Sequence, residues 1–148
     1  MFEIELKNSD EMSIKIKDRT INVNVAQSVI TAGLVVGPIK GAGEFEIGEA
    51  TINGFATSGG VAYRLEIGGI FVGVVGEGVK IDDLDDFGPI DILGTNDIDI
   101  VNIVEPKIVI PMGNMDFASL KASVKMEKKL KIKNATMLPA VMEIYRLD

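Results

Sequence analysis

Histidine, cysteine and tryptophan are all missing from this 148-residue chain. Without cysteine there is no disulfide and no thiolate chemistry. Without histidine there is no Ser-His-Asp or Cys-His relay, and a catalytic zinc site loses the nitrogen and sulfur donors that the metal favours. Aromatic residues make up only 5% of the chain, so any core must be mainly aliphatic. No apolar run approaches the ~18 residues needed to span a bilayer. A net charge of -7, with pI near 4.6, sets the field of the whole molecule against polyanions, so no nucleic-acid partner is expected.

What is present suits one folded domain over residues 1–148. The hydrophobic fraction is 47%, and a chain of this length buries roughly 70% of the surface it exposes when unfolded. Charge is unevenly spread. Residues 77–105 hold nine acidic residues against Lys80, while residues 116–148 hold seven basic against four acidic. Opposite signs on separate stretches can meet within one fold or between copies. The opening Met1-Phe-Glu-Ile-Glu-Leu-Lys7 has charges inside its apolar stretch and lacks the form of a signal peptide, so a cytoplasmic location with no membrane partner is expected. Asn134-Ala-Thr136 matches a glycosylation sequon, which is read as chance.

Alternation of period two runs through Phe2, Ile4 and Leu6, through Ile14 and Ile16, and through Ile21, Val23 and Val25, predicting three short antiparallel strands. Residues 28–36 read as a strand or a bulged pair broken at Gly33. A meander follows over 44–47, 50–55, 61–67 and 70–75, joined by glycine turns. Residues 90–93 and 108–110 are short unbroken apolar runs of the kind covered on both faces, so a helix must supply cover. Two segments compete for that role. Asp116 to Lys128 places Phe117, Leu120 and Val124 at helical spacing with lysines at its end, and is predicted as a helix. Asp97 to Val104 is rich in isoleucine and valine; Thr95 or Asn96 can cap a helix there and Pro106 can stop it, so helix and strand both stay open. Residues 141–147 read as a closing strand.

Several segments in fixed order resemble the metallo-β-lactamase-fold superfamily, in particular its small zinc-dependent hydrolases of the ascorbate-lactonase-like kind. They are Gly41-Ala-Gly-Glu-Phe-Glu-Ile-Gly48, Ile52-Asn-Gly-Phe-Ala-Thr57, Ala62-Tyr-Arg-Leu-Glu-Ile-Gly-Gly-Ile70, Phe87-Gly-Pro-Ile-Asp-Ile-Leu93 and Val104-Glu-Pro-Lys-Ile-Val-Ile-Pro-Met112, with the opening hairpins from Met12 to Val25. The resemblance implies a β-rich α/β fold, a reduced β-sandwich of two mixed sheets with about two or three helices. It also implies a zinc site, and there the sequence departs. The family's His-x-His-x-Asp-His motif would fall within Ser28 to Lys40, which contains neither a histidine nor a carboxylate. The bridging aspartate is matched by Glu77 in Val75-Gly-Glu-Gly78, and the last histidine by Gly113, followed by Asn114. The connection through 28–40 also looks shortened, so helices usual in that part of the family fold are expected to be absent.

The chain is therefore expected to be a degenerate, metal-free member: no catalytic residues, no metal ligands, no cofactor, and a possible ancestral cleft at Ser58, Glu77, Gly113 and Asn114. Glu77 is first of all a polar residue in a glycine turn. Asp82-Asp-Leu-Asp-Asp86 offers oxygen donors suited to magnesium, manganese or calcium, yet lacks the spacing of a calcium loop and reads first as solvated. Val72 to Gly78 is glycine-rich but has neither the spacing nor the lysine of a phosphate loop. Lys125, Lys128, Lys129, Lys131 and Lys133 read as a wet surface before an anion-facing one. The role expected is a binding or self-assembly module, in a homo-oligomer or with an unknown protein partner. The alternatives are a residual hydrolase on a carboxylate-bound hard metal, or a small-molecule sensor in the old cleft.

Overall fold

The computed structural model describes residues 1–32, 36–80 and 87–148. The opening alternation folds into β1 (Phe2–Asn8), β2 (Glu11–Ile16) and β3 (Arg19–Asn24) as antiparallel neighbours. The stretch left as a strand or bulged pair is β4 (Val29–Ala32) and β5 (Val36–Lys40), paired antiparallel with a register shift. The meander is β6 (Gly43–Ile47), β7 (Ala50–Thr57), β8 (Gly60–Ile67) and β9 (Ile70–Val75). After it come β10 (Ile92–Thr95), helix α1 (Ile98–Val104), β11 (Ile108–Pro111), β12 (Ser123–Glu127), β13 (Leu130–Ile132) and β14 (Glu143–Leu147). No helix among the described residues is long and apolar enough to cross a membrane.

Two sheets form the expected β-rich sandwich. The six-stranded sheet has the order β13-β1-β2-β3-β4-β5, antiparallel at every described pair, and the eight-stranded sheet runs β12-β14-β11-β10-β9-β8-β7-β6. In the second sheet β9, β10, β11, β14 and β12 are mutually parallel, while β6 to β9 remain a meander. Ile4, Ile14, Ile21 and Ile30 from the first sheet meet Ile52, Leu65, Val72, Ile92 and Ile110 from the second, all almost fully buried. Tyr63 is the large aromatic of this core, and burial pushes its phenol above the usual tyrosine value.

On the far side of the second sheet lies a separate cluster of Ala62, Val75, Phe87, Ile90, Leu93, Ile100, Val101, Val109 and Ile144. This is the cover required by the unbroken runs of β10 and β11, which are buried at all four positions each. Helix α1 supplies part of it, so Asp97 to Val104 is resolved as helix despite its β-branched composition. The cap is Asp97 rather than Thr95 or Asn96: its side chain accepts from the Asp99 N–H, and Thr95 Oγ1 in turn accepts from the Asp97 N–H at 3.1 Å. Glu105 ends the helix in a left-handed conformation just before Pro106. A right-handed crossover between parallel neighbours has to return along the sheet face, and this requirement outweighs the local propensity.

The helix predicted over Asp116 to Lys128 does not form. One 3-10 turn covers Ala118–Leu120, Lys121 takes φ 53°, and Ser123–Glu127 becomes a strand parallel to β14. Phe117 and Leu120, partly buried, still pack on the outer cluster, whereas Val124 is exposed. The ladder with β14 satisfies the backbone of 123–127, a long-range gain that helical spacing does not report. A second 3-10 turn lies at Ala135–Met137, opened by Asn134, whose side chain accepts from Thr136 N–H.

Candidate functional site

In open sheets with parallel strands, ligands bind beyond the carboxyl ends of those strands. Here β9, β10 and β11 end together at Val75, Thr95 and Pro111. The chain leaves them through Gly76-Glu77-Gly78, through Asn96-Asp97 and through Met112-Gly113-Asn114. The first sheet presents its Asn8-Ser9-Asp10 turn at this end, and Asp10 accepts the Val25 N–H through its carbonyl at 2.9 Å. Glu77, Gly113 and Asn114 are thus brought to one end of the sandwich from positions nearly forty residues apart.

They do not surround one cleft. Glu77 lines a hollow of about 320 Å³ with Asp10, Val25, Ser28, Gly60 and Asn96. Gly113 and Asn114 line a larger hollow of about 540 Å³ with Ser9, Pro111, Phe117 and Arg146. Gly113 sits between the two. A Cβ built on it would be 3.7 Å from the Ser9 carbonyl oxygen and 3.9 Å from Cβ of Asn96, so Ser9 and Asn96 close against it as a partition. Its φ of 58° also suits glycine. Ser58 is exposed on the turn between β7 and β8 and lines neither hollow; its neighbours Gly59 and Gly60 line the first.

The first hollow is shaped by two turns in contact. A Cβ on Gly59 would lie 1.6 Å from the Gly78 carbonyl oxygen, so the Ser58-Gly59-Gly60 turn can rest on Gly76-Glu77-Gly78 only with glycine at 59. Thr57 Oγ1 fixes that turn by donating to the Gly60 carbonyl at 2.7 Å and accepting the Gly59 N–H at 3.2 Å. Gly76 is confined less severely, with Val25 Cβ and carbonyl oxygen at 3.0 and 3.1 Å from its built Cβ. Of the glycines flanking Glu77, Gly76 therefore answers to packing and Gly78 to its φ of 89°.

Two residues of this hollow carry no signal in the sequence pattern. Asn96 was weighed only as a helix cap, yet its Oδ1 is buried with no protein hydrogen-bond partner among the described residues. Asp10 lies between β1 and β2, and that hairpin brings it to the hollow that Glu77 lines. Both depend on contacts between the sheets, which no local spacing reveals.

Zinc does not fit the donors present. Among the described residues no group of three or more carboxylates converges, and Asp10 and Glu77 are the acids facing the first hollow. Both are hard oxygen donors, against the nitrogen and sulfur that zinc prefers. The segment matched to the family's histidine-rich motif is occupied by β4 and β5, part of the six-stranded sheet. Asp82 to Asp86 lies outside the described residues.

The charge pattern is resolved in part. Lys125 bonds Glu143 at 2.8 Å, Lys129 lies 3.8 Å from Glu3, and Lys107 lies 3.6 Å from Asp91. No ion pair among the described residues joins 116–148 to the acidic stretch 77–105, so the two do not meet inside the fold there.

No family model matches the sequence, and no curated protein matches it. In three dimensions the chain superposes on a crystal structure from Thermotoga maritima, assigned there as a Zn-dependent hydrolase of the metallo-beta-lactamase superfamily. The TM-score is 0.73 at 14% sequence identity, over 99% of this chain and 99% of that one. The chain thus has the metallo-β-lactamase fold, and its short length is shared with that structure.

Proposed function

We propose that this chain, which has the metallo-β-lactamase fold, is a non-catalytic, metal-free binding and self-assembly module. The donor set at the strand ends is the observation that supports this reading. Where the resemblance places a bridging aspartate and a histidine, the chain has Glu77 and Gly113, an exposed glycine beside Ser9 and Asn96. Hydrolysis by zinc needs several ligands and an open position for an acidified water. One glutamate and one aspartate do not supply that set. What remains is a polar hollow with a buried acceptor, Asn96 Oδ1, and two carboxylates, suited to a small ligand rich in hydrogen-bond donors.

A second reading rests on Asp10 and Glu77 facing the same hollow: a hard cation held by oxygen donors, with residual hydrolysis. One experiment separates the two. Metal content of the purified chain is measured alongside melting temperature with Zn²⁺, Mg²⁺, Mn²⁺ or Ca²⁺ added, since a cation bound by the native state raises that temperature by mass action. The module predicts substoichiometric metal and no shift. A shift with Mg²⁺, Mn²⁺ or Ca²⁺ that disappears in Glu77→Gln establishes the second reading. Stoichiometric zinc required for turnover overturns the first.

A further inference from the structure

Strand β12 is the edge of the eight-stranded sheet, and all five of its residues are exposed. Its side chains alternate between two faces. Lys125 and Glu127 lie beside Tyr145 and Leu147, while Val124 and Met126 lie beside Ile144 and Arg146. Val124 is 45% exposed and Met126 64%. The Asp148 N–H donates to the Glu127 carbonyl, so the backbone groups of Glu127 face β14. By alternation those of Ser123 and Lys125 do too, which turns the N–H and C=O of Val124 and Met126 outward.

Natural sheets blunt such an edge with charge, shortness or cover. At the opposite edge β6 carries exposed Glu44 and Glu46, and in the other sheet β13 is only three residues long. The one lysine within β12 is drawn back onto its own chain. Its ammonium lies 2.8 Å from Glu143 and 5.5 Å from the centre of the Tyr145 ring, and the Glu143 hydrogen bond is the leading cause of its raised pKa. The edge is left with Val124 and Met126 on one face, Lys125 and Glu127 on the other, and outward-facing backbone groups.

We propose that β12 is a self-association surface, on which two copies pair antiparallel about a two-fold axis at Met126 to form one continuous sheet. This deepens the assembly part of the proposed function and rests on it. A second copy is the occupant because the strand is complementary to itself. Outward-facing groups must meet outward-facing groups, so even-numbered residues pair with even-numbered ones. Centring the pair on Met126 sets Lys125 opposite Glu127 of the second copy, twice, and joins the two Met126 side chains on the other face. The neighbouring allowed register, centred on Lys125, sets like charges directly opposite and is disfavoured. The lysine and glutamate on one face therefore select both partner and register.

The absence of native cysteine makes the test direct. In the proposed register the two Met126 Cα atoms form a hydrogen-bonded pair about 5.5 Å apart, within the range of about 4.4–6.8 Å that a disulfide spans. Met126→Cys and Lys125→Cys are oxidised and run without reductant, and the unmodified chain is followed by sedimentation across the micromolar range. A reversible dimer, with cross-linking of Met126→Cys and not of Lys125→Cys, is the expected result. Met126→Pro removes an outward N–H without touching the β14 ladder and is expected to abolish the dimer with an unchanged far-UV spectrum. Cross-linking of Lys125→Cys instead overturns the Met126 register, and a dimer that survives Met126→Pro overturns the β12 assignment while leaving self-assembly in place. A monomer at every concentration removes both, and neither result bears on the metal test.

Discussion

The two sheets differ most on their outer faces. On the six-stranded sheet Glu3, Glu5, Lys15, Thr20, Asn22 and Lys131 form a polar surface around the buried Ser13, because their inward neighbours Ile4, Ile14, Ile21 and Val23 take the core. On the eight-stranded sheet the corresponding face is apolar over β9, β10, β11 and β14, where α1, Phe87 and Ile90 cover it, and polar over β6 to β8, with Glu44, Glu46, Asn53, Arg64 and Glu66. Connectivity accounts for the difference. Antiparallel neighbours join by short turns at their ends, whereas parallel neighbours need a crossover that travels back along the sheet. Only the second sheet has parallel strands, and only there is the face buried by what the crossovers carry. The same crossovers begin at the strand ends where Glu77, Asn96 and Gly113 sit, so cover and candidate site arise from one topological cause.

Three substitutions sharpen or break that contrast. Phe87→Ala is expected to cost the most, about 3–5 kcal/mol in urea unfolding, because its ring is 2% exposed and packs edge-on against Phe55 at 5.4 Å. A cost near zero would mean that the crossover adds little to the second face. Gly59→Ala is intermediate, about 1–3 kcal/mol from overpacking, since the new methyl would run into the Gly78 carbonyl. Its signature is local as well: the Glu77 turn should lose protection in hydrogen exchange ahead of the core. Lys15→Ala, on the polar face of the first sheet, should stay within about 0.5 kcal/mol. Its side chain is exposed and makes no ion pair among the described residues. A larger loss there would show that the polar face is as dependent on its side chains as the covered one.

Much of this fold was legible. The alternation of β1 to β3 and the glycine-punctuated meander of β6 to β9 appear where period two and the turn residues place them, because each strand has one buried face and short links. In the segments that carry the resemblance some glycines serve positive φ, as Gly41 and Gly69 do, and others serve packing. Gly54, for example, lets the Gly41 carbonyl approach to 3.0 Å of where its Cβ would be, and that same carbonyl accepts the Tyr63 hydroxyl at 3.3 Å. The segment left open between helix and strand and the one misread as a helix both lie in the parallel half. There 98–104 is a helix in spite of its isoleucines, and 123–127 is a strand in spite of its helical spacing, because partners far away in sequence decide both. For the candidate site, the sequence located Glu77 and Gly113 but not the partition between them, and it gave no hint of Asp10 and Asn96.

Composition alone settled which donors are missing: a polypeptide without histidine or cysteine does not gain an imidazole or a thiolate by folding. Pattern settled the antiparallel strands, where the information is local. Tertiary structure alone decided which turns meet at the strand ends, that Gly113 divides the space there into two hollows, and that β12 is left as an open edge. Those outcomes depend on backbone groups and carbonyl oxygens brought together across the sandwich, and no stretch of sequence contains both sides of such a contact.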